Sequence, residues 1–381
     1  MVSEIDVGRV GWSARQEESL AGFRVKRMHF FISDLSDLGS MRNAELSVGA
    51  KMARLGKVIA AGYAVPRGFV LDVSAFRDAM GDETIAAAHA VAMEGIRVDS
   101  TAEELAAVRP RMRDVFDAYT FPEELYESLR EAHDALGEGV PLAVRSSAIG
   151  EDSQNASFAG QFETTLGVIG FDAMMAALRS CWSSPYSASA LAYRASRGML
   201  ERPMDMAVGV LELVKPRAAG VAFSVQPVTR RKNRVVVEAN WGLGETVVGG
   251  LVSPDHAEVG KTDLRILEYT VGDKQCVIAF DESHGKVLER ETSPEDKSVR
   301  CLSDDELMAV AATTVDLEDL FGHAVDVEWA LVPDAEGGAS RVVVLQVRPE
   351  TINEEPMAVR TNYDPIQMIL ERTTRKLSTG G

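Results

Sequence analysis

The residues best suited to do chemistry lie between Leu142 and Thr164. This stretch holds one arginine, Arg145, four serines that include Ser146, Ser147 and Ser157, two glycines that include Gly160, and several carboxylates or amides that include Gln161. A polyphosphate needs many donors for its oxygens, a fixed guanidinium fork for its charge, and glycine where backbone must approach closely. On composition alone, a surface loop with a structural arginine fits equally well. A second set lies in Val325-Asp-Val-Glu-Trp329, where Asp326 and Glu328 are two apart. Such residues share one face of a strand. Two carboxylates on an apolar strand repel unless a cation lies between them, which favours Mg²⁺ held by oxygen ligands; the bland alternative is an edge strand with a solvated face. Gln346 and Arg348 also share a strand face, opposite those carboxylates if the two strands form a hairpin. Lys51 follows Gly49 and stands in the first turn of a helix, close to its free N–H groups. A solvated helix lysine is the other reading.

The elements that must position these residues can be read from periodicity. Residues 1–40 read as an extended leader. Met52, Leu55, Val58 and Ile59 fall on one face of a helix over 46–62, and Val65–Leu71 reads as a strand that starts at a proline. Residues 74–135 have helical spacing, with a helix start at Phe121-Pro-Glu-Glu. Val140–Ser146 is a strand feeding the serine-rich loop, and 172–200 is helical. Met206–Val214 and Ala219–Val225 read as strands around a turn at Lys215-Pro-Arg-Ala. Further strands are expected at 234–239, 256–259, 265–270 and 275–280, followed by a polar linker over 281–300. Ser303-Asp-Asp-Glu starts an amphipathic helix to Phe321, and Ala324–Leu331 pairs with Arg341–Val347 around a polar, peripheral loop. The pattern is α+β in two lobes.

The 381 residues exceed one compact core. The formal charge of −18 argues against nucleic acid and anionic membranes as partners. Three cysteines without C-x-x-C spacing fit reduced thiols. With no apolar leader and no apolar run of spanning length, a cytoplasmic location and no membrane span are expected.

Several motifs are similar to those of the phosphoenolpyruvate synthase and pyruvate phosphate dikinase family. Val144–Thr164 resembles its V-R-S-S-A-x-x-E-D-x-x-x-A-S-F-A-G-Q-x-E-T signature. Gly49–Gly56 resembles G-G-K-x-A-x-L-G, with Ala50 at the second glycine. Asp326–Trp329 fits D-[IVM]-E-[WF], and Leu345–Thr351 fits L-Q-x-R-P-E-T. Trp241–Gly250 fits W-G-L-G-E-x-V-V-x-G, and Pro254-Asp255 fits a P-D pair. The resemblance covers roughly residues 30–352. It implies an ATP-grasp fold whose two lobes hold ATP, with lobes at 1–205 and 206–353 and a tail at 354–381 that serves as a linker or docks a partner. Lys51, Arg145 and Arg348 would meet the phosphates, and Ser146, Ser147, Ser157, Gly160 and Gln161 would form or support the covering loop. Gln346 would touch the phosphate or metal region, and Asp326 and Glu328 would hold magnesium. Adenine would lie along Val210–Val214, read by the backbone of Glu212 and Val214, although Leu211 replaces the family's glutamine. For Glu245, contact with the nucleotide sugar and a helix-capping role stay open.

The family passes a phosphoryl group from ATP to a histidine in a T-S-G-G-x-x-x-H-type motif. None of the six histidines here stands in that context. The resemblance therefore suggests an ATP-dependent phosphotransferase subunit that phosphorylates a histidine on a separate polypeptide. The expected final acceptor is a small aromatic alcohol, cresol or phenol, with AMP and phosphate as the other products. Alternatives are a split pyruvate- or antibiotic-phosphorylating enzyme, and a nucleotide-sensing scaffold without turnover.

Overall fold

Alternating apolar residues build two antiparallel sheets, each with one face turned to a helical layer. The computed structural model describes residues 32–153, 156–157, 162–200, 203–333 and 340–350, with backbone alone at 152–153 and 156–157. The strands are β1 (Ile32–Asp34), β2 (Gly68–Leu71), β3 (Leu142–Ala148), β4 (Asp152–Ser153), β5 (Ala156–Ser157), β6 (Thr164–Val168), β7 (Met206–Glu212), β8 (Ala218–Phe223), β9 (Arg234–Trp241), β10 (Asp255–Gly260), β11 (Ile266–Thr270), β12 (Cys276–Asp281), β13 (Lys286–Glu291), β14 (Val325–Val332) and β15 (Arg341–Pro349). The helices are α1 (Glu45–Ala60), α2 (Val73–Gly81), α3 (Glu83–Met93), α4 (Ala102–Ala106), α5 (Val108–Ala118), α6 (Glu123–Leu136), α7 (Phe171–Ser183), α8 (Ala188–Ser196), α9 (Glu245–Val248), α10 (Pro294–Lys297) and α11 (Asp304–Phe321).

The first sheet runs β1-β2-β7-β3-β6, and the second β11-β10-β9-β8-β14-β15. One face of the first sheet, with Phe69, Val144, Val208 and Val210, packs on α5 and α7 through Phe116, Leu178 and Trp182. Its other face, with Val70, Ala207 and Leu211, shares a core with α1, the second sheet and α11. Mixed helix and sheet in an α+β arrangement thus agrees with the periodicity.

Two local expectations are corrected. Met206–Val214 and Ala219–Val225 read as strands around one turn, but β7 is the middle strand of the first sheet and β8 lies within the second. The chain between them is a crossing: the Leu213 N–H donates to Pro141 O at 2.8 Å, whereas the Arg217 N–H donates to Leu331 O at 2.9 Å. The linker expected over 281–300 contains β13, paired in full register with β12 from Cys276↔Glu291 to Asp281↔Lys286. Its charged residues are the exposed face of a two-stranded ribbon, which reads as polar chain. The α11 boundary, by contrast, is where capping chemistry puts it. Ser303 and Glu306 form a reciprocal capping box, and Gly322 closes the helix at φ 73°.

The motif Pro254-Asp255 anchors the second sheet rather than a ligand. Asp255 accepts from the N–H of Gly272 at 2.9 Å and of Cys301 at 2.8 Å, from the Tyr269 hydroxyl at 2.8 Å, and from the Lys274 ammonium at 2.5 Å. Burial alone would raise this carboxyl, but the Lys274, Cys301, Gly272 and Tyr269 donors together hold it below the ordinary aspartate value. Lys274 is fully enclosed. Removing one partner of such a pair leaves an uncompensated buried charge, so Asp255→Ala is expected to lose about 3–5 kcal/mol of stability. Urea unfolding checks this; a loss within about 0.5 kcal/mol, the scale of an ordinary surface substitution, would contradict it.

Candidate functional site

Strand β3 carries Arg145 across the gap between the sheets. Its Nη1 donates to Leu345 O at 3.0 Å, and its Nη2 donates to Gln346 Oε1 at 2.8 Å and to Glu328 Oε2 at 3.3 Å. Arg348 reaches the same carboxylate from β15, donating from Nη2 to Glu328 Oε1 at 2.8 Å, while its Nη1 lies 3.7 Å from Asp326 Oδ2. Glu328 therefore has one guanidinium on each oxygen. The hairpin register explains the assembly: Asp326 stands opposite Arg348 and Glu328 opposite Gln346, with a bulge just after Glu328. All four project from one face of the β14–β15 ribbon, as the two-residue spacing predicts.

The sequence argument gave the charge between Asp326 and Glu328 to a metal. In the structure that charge is Arg348, assisted by Arg145. Among the described residues, no group of three or more His, Cys, Asp or Glu side chains is arranged to hold a metal ion. A two-carboxylate set is nevertheless the usual protein share of a magnesium site completed by phosphate oxygens and water. Unmatched buried polar atoms also collect here. Gln346 Nε2 and Arg348 Nε are donors, and Glu245 Oε2 is an acceptor, without a hydrogen-bond partner among the described residues.

Glu245, for which sequence reasoning left two roles open, is half-buried within range of the charges on Arg145 and Glu328. It opens the four-residue α9 after the N-cap Gly244, and its carboxylate accepts from its own backbone N–H at that helix start. Burial pushes its carboxyl above the ordinary glutamate value; Glu328 adds to the rise, while a backbone donor and the Arg145 charge oppose it.

Lys51 is positioned by a break in α1. Gly49 has φ 73° and ψ 162° inside the helix, so the segment from Ala50 starts anew. A Cβ on Gly49 would fall 2.3 Å from Ser147 Oγ and 2.6 Å from Ser147 O. Glycine is thus required both for the backbone angle and for the approach to β3. Ser147 Oγ donates to Val48 O at 2.7 Å, tying α1 to β3. The Lys51 ammonium is 2.6 Å from Glu151 Oε1, and both side chains are largely buried. Glu151 also accepts from the Ala148 N–H at 3.3 Å. Sequence reasoning gave Glu151 no role, although it is the glutamate of the E-D pair in the motif.

The remaining expected residues separate. Ser146 Oγ donates to Glu163 O at 2.9 Å and Ser147 Oγ to Val48 O, so both hydroxyls fasten the feet of the serine-rich loop. Ser157 lies in β5 with only its backbone described, and Gly160 and Gln161 lie outside the described residues. The Glu212 carboxylate pairs with Arg67 Nε at 3.0 Å, and its N–H donates to Arg67 O at 2.8 Å, so that N–H already has its acceptor. Glu212 and Val214 line a cavity of about 940 Å³ with Tyr63, Pro141 and Arg341, whose lining contains none of Lys51, Arg145, Asp326, Glu328, Gln346 and Arg348. The described histidines are also engaged elsewhere: His133 with Asp134, His256 with Glu238, His284 with Asp281, His323 with Ala324 O, and His89 against Tyr186. Cys181 and Cys301 are buried and Cys276 half-buried, all as free thiols. No described helix is long and apolar enough to cross a membrane.

Arginine-bridged carboxylates on paired strands and a lysine at a helix restart are the charged groups the two sheets hold, and comparison with known proteins gives the chain a family. Residues 45–365 match the pyruvate phosphate dikinase AMP/ATP-binding domain family, and the chain belongs to that family. It is 36% identical over 308 residues to a probable phosphoenolpyruvate synthase of Methanothermobacter thermautotrophicus, covering 80% of this chain and 44% of that protein. It is 33% identical over 322 residues to the phosphoenolpyruvate synthase of Escherichia coli, covering 80% and 40%. The chain thus spans less than half the length of these relatives. An AMP/ATP-binding domain is the class that the family defines.

Gly49→Ala tests how Lys51 is held. Strain at φ 73° and collision with Ser147 are expected to lower stability by about 2–3 kcal/mol and to weaken nucleotide binding together. Thermal melts and a nucleotide titration check this; a variant as stable as the parent would show that the Gly49 geometry is dispensable.

Proposed function

We propose that this chain holds MgATP in an ATP-grasp arrangement, between the β3 face and the β14–β15 ribbon, as the nucleotide-binding subunit of an AMP-forming phosphotransferase. The observation that carries the reading is the Arg145–Glu328–Arg348 bridge, with Gln346 and Glu245 beside it, in a chain of this family. Phosphoryl transfer requires alignment and charge neutralisation more than covalent work by side chains. Arg145 and Arg348 present rigid forks suited to phosphate oxygens. Gln346 Nε2 and Arg348 Nε offer further donors in a partly water-excluded site, where directed dipoles act strongly. Lys51 adds a point charge at a helix start.

Charge balance supports magnesium as the companion of the nucleotide. The cations Lys51, Arg145 and Arg348 are each already engaged by a carboxylate, from Glu151, Glu328 and Asp326. Glu245 stands nearby as a further acid. A triphosphate entering such a site meets little net positive potential from these groups. Asp326 and Glu328 would hold the magnesium, which when bound supplies the missing positive charge. Arg145 and Arg348 then orient the phosphate chain, and Glu328, held on both oxygens, keeps the two guanidiniums in register.

The β-phosphoryl group is passed to a histidine on a partner polypeptide, and the γ-phosphate is released to water. In support, none of the five described histidines has Lys51, Arg145, Asp326, Glu328, Gln346 or Arg348 as its partner. The final acceptor in this reading is a small aromatic alcohol, cresol or phenol; that choice rests on the resemblance to split enzymes of this family. A second reading, with phosphoenolpyruvate as the product, is favoured by the names of the relatives at 36% and 33% identity.

ATP labelled at the β or the γ position, supplied with magnesium and a histidine-bearing candidate partner, tests the proposal. Label from the β position is expected on the partner's histidine only when both proteins are present; turnover to ADP by this chain alone would overturn it. Asp326→Asn is expected to raise the magnesium concentration needed for half-maximal nucleotide binding by about tenfold or more, on the scale of a lost charge contact. A magnesium titration read by nucleotide fluorescence checks this, and an unshifted midpoint would remove Asp326 from the metal site.

A further inference from the structure

The Lys51–Glu151 pair has features that a purely structural ion pair does not require. Glu151 is 1% exposed and Lys51 9%. Glu151 is folded back on β3 by two contacts with Ala148: its Oε2 accepts from the Ala148 N–H at 3.3 Å, and its own N–H donates to Ala148 O at 3.4 Å. The same end of β3 carries Ser147, against which Gly49 packs. The carboxylate is therefore fixed by backbone, and the ammonium 2.6 Å away sits on the longer, more adaptable side chain. A buried pair of this kind gains little net stability over an apolar replacement, so its retention calls for another reason.

We propose that Glu151 is a positioning residue that acts as an exchangeable counter-ion for Lys51, competing with the phosphates of the nucleotide for the same ammonium. This inference rests on the nucleotide-binding reading and adds a device to it. Lys51 turns from Glu151 to a phosphate oxygen when nucleotide binds. Its affinity for phosphate is lowered by the partner it must leave, and a weaker anion fails to displace Glu151. The pair thus sets a threshold, so that a polyphosphate with its metal draws Lys51 away and a ligand without phosphates does not. Once Lys51 turns, the buried Glu151 carboxylate loses its cation, a cost that the contact between Lys51 and phosphate must exceed.

The test uses the full chain and its Glu151→Gln variant, which keeps the acceptor for the Ala148 N–H and removes the charge. MgATP affinity is expected to tighten by about fivefold or more, the lower edge of a typical coupling between two ligands of one group. Adenosine, which lacks phosphates, is expected to gain nothing. In a Lys51→Gln background, the same Glu151→Gln change is expected to leave MgATP affinity unaltered, because the competed group is gone. Affinity that weakens or stays level in Glu151→Gln overturns the proposal, as does an equal gain for adenosine or an undiminished gain in the Lys51→Gln background. Should Glu151→Gln unfold, Glu151→Asp is measured instead. Its shorter reach to the ammonium is expected to tighten MgATP in the same direction, and weaker binding in a folded Glu151→Asp overturns the proposal. A parent chain that binds no MgATP sinks the nucleotide reading and this inference together; a binding parent with an unresponsive variant sinks the inference alone.

Discussion

The interaction on which the rest depends is the Arg145 guanidinium, rooted in β3 of the first sheet and bonded to Leu345 O, Gln346 and Glu328 of the second. It is a charge-assisted link between two layers whose apolar contacts are otherwise carried by α1 and its neighbours. A planar fork with several donors satisfies a backbone carbonyl, an amide oxygen and a carboxylate in one fixed plane, a geometry that the rotatable donors of an ammonium do not impose. The same geometry fixes where Glu328 sits, and Arg348 completes the hold from the other side. Structure and site are therefore one arrangement: the contacts that set the distance between the sheets are made by the groups best suited to a phosphate chain. Donors held in this way need little reorganisation when charge develops near them.

The second constraint is the close approach of α1 to β3. Gly49 lets the helix restart against Ser147, and Gly209 on β7 accommodates the Met52 sulfur, which would meet a Cβ there at 2.4 Å. Two glycines of quite different local conformation thus serve one purpose, bringing a lysine-bearing helix start onto a flat sheet face. On the opposite face, large aromatic residues fill the space, with Trp182 in tilted or edge contact with Phe76, Phe116, Tyr119 and Phe121. The first sheet is thus covered by a helix at close range on one face and by bulky aromatic side chains on the other.

How much of this was legible in the sequence depends on the kind of signal. Spacing of two within Asp326–Glu328 and Gln346–Arg348 gave the shared faces, because strand periodicity is fixed by the backbone. The antiparallel register that sets the pairs opposite one another followed from the hairpin. The serines were another matter. Ser146 and Ser147 are adjacent on β3, so their hydroxyls leave on opposite faces and cannot serve one phosphate; one fastens Glu163 and the other Val48. Period-two reasoning applied to β3 would have separated them. The linker between β7 and β8 was misread because a proline-containing turn between two apolar runs looks the same whether the runs pair with each other or enter different sheets. Glu151 stayed without a role because ion pairing between residues 100 positions apart leaves no local trace.

A cleft whose cations already have carboxylate partners seems at first poorly suited to an anion, yet the pairing has a physical purpose. A lone buried arginine or lysine would be expensive to desolvate and would attract any anion indiscriminately. Paired cations are affordable to bury, stay in defined positions, and yield only to a ligand that brings enough charge and geometry to replace the partner. The same carboxylates that restrain Arg145 and Arg348 are oxygen donors of the kind a hard divalent cation prefers. In the proposed complex, metal and phosphate together would take over part of each internal ion pair, phosphate on the guanidinium and metal on the carboxylate. Neither partner alone achieves that exchange, because each would leave one buried charge uncompensated. In the proposed reading, a preference for a metal–nucleotide complex over a free nucleotide would follow from Asp326, Glu328, Arg145 and Arg348 being bonded to one another.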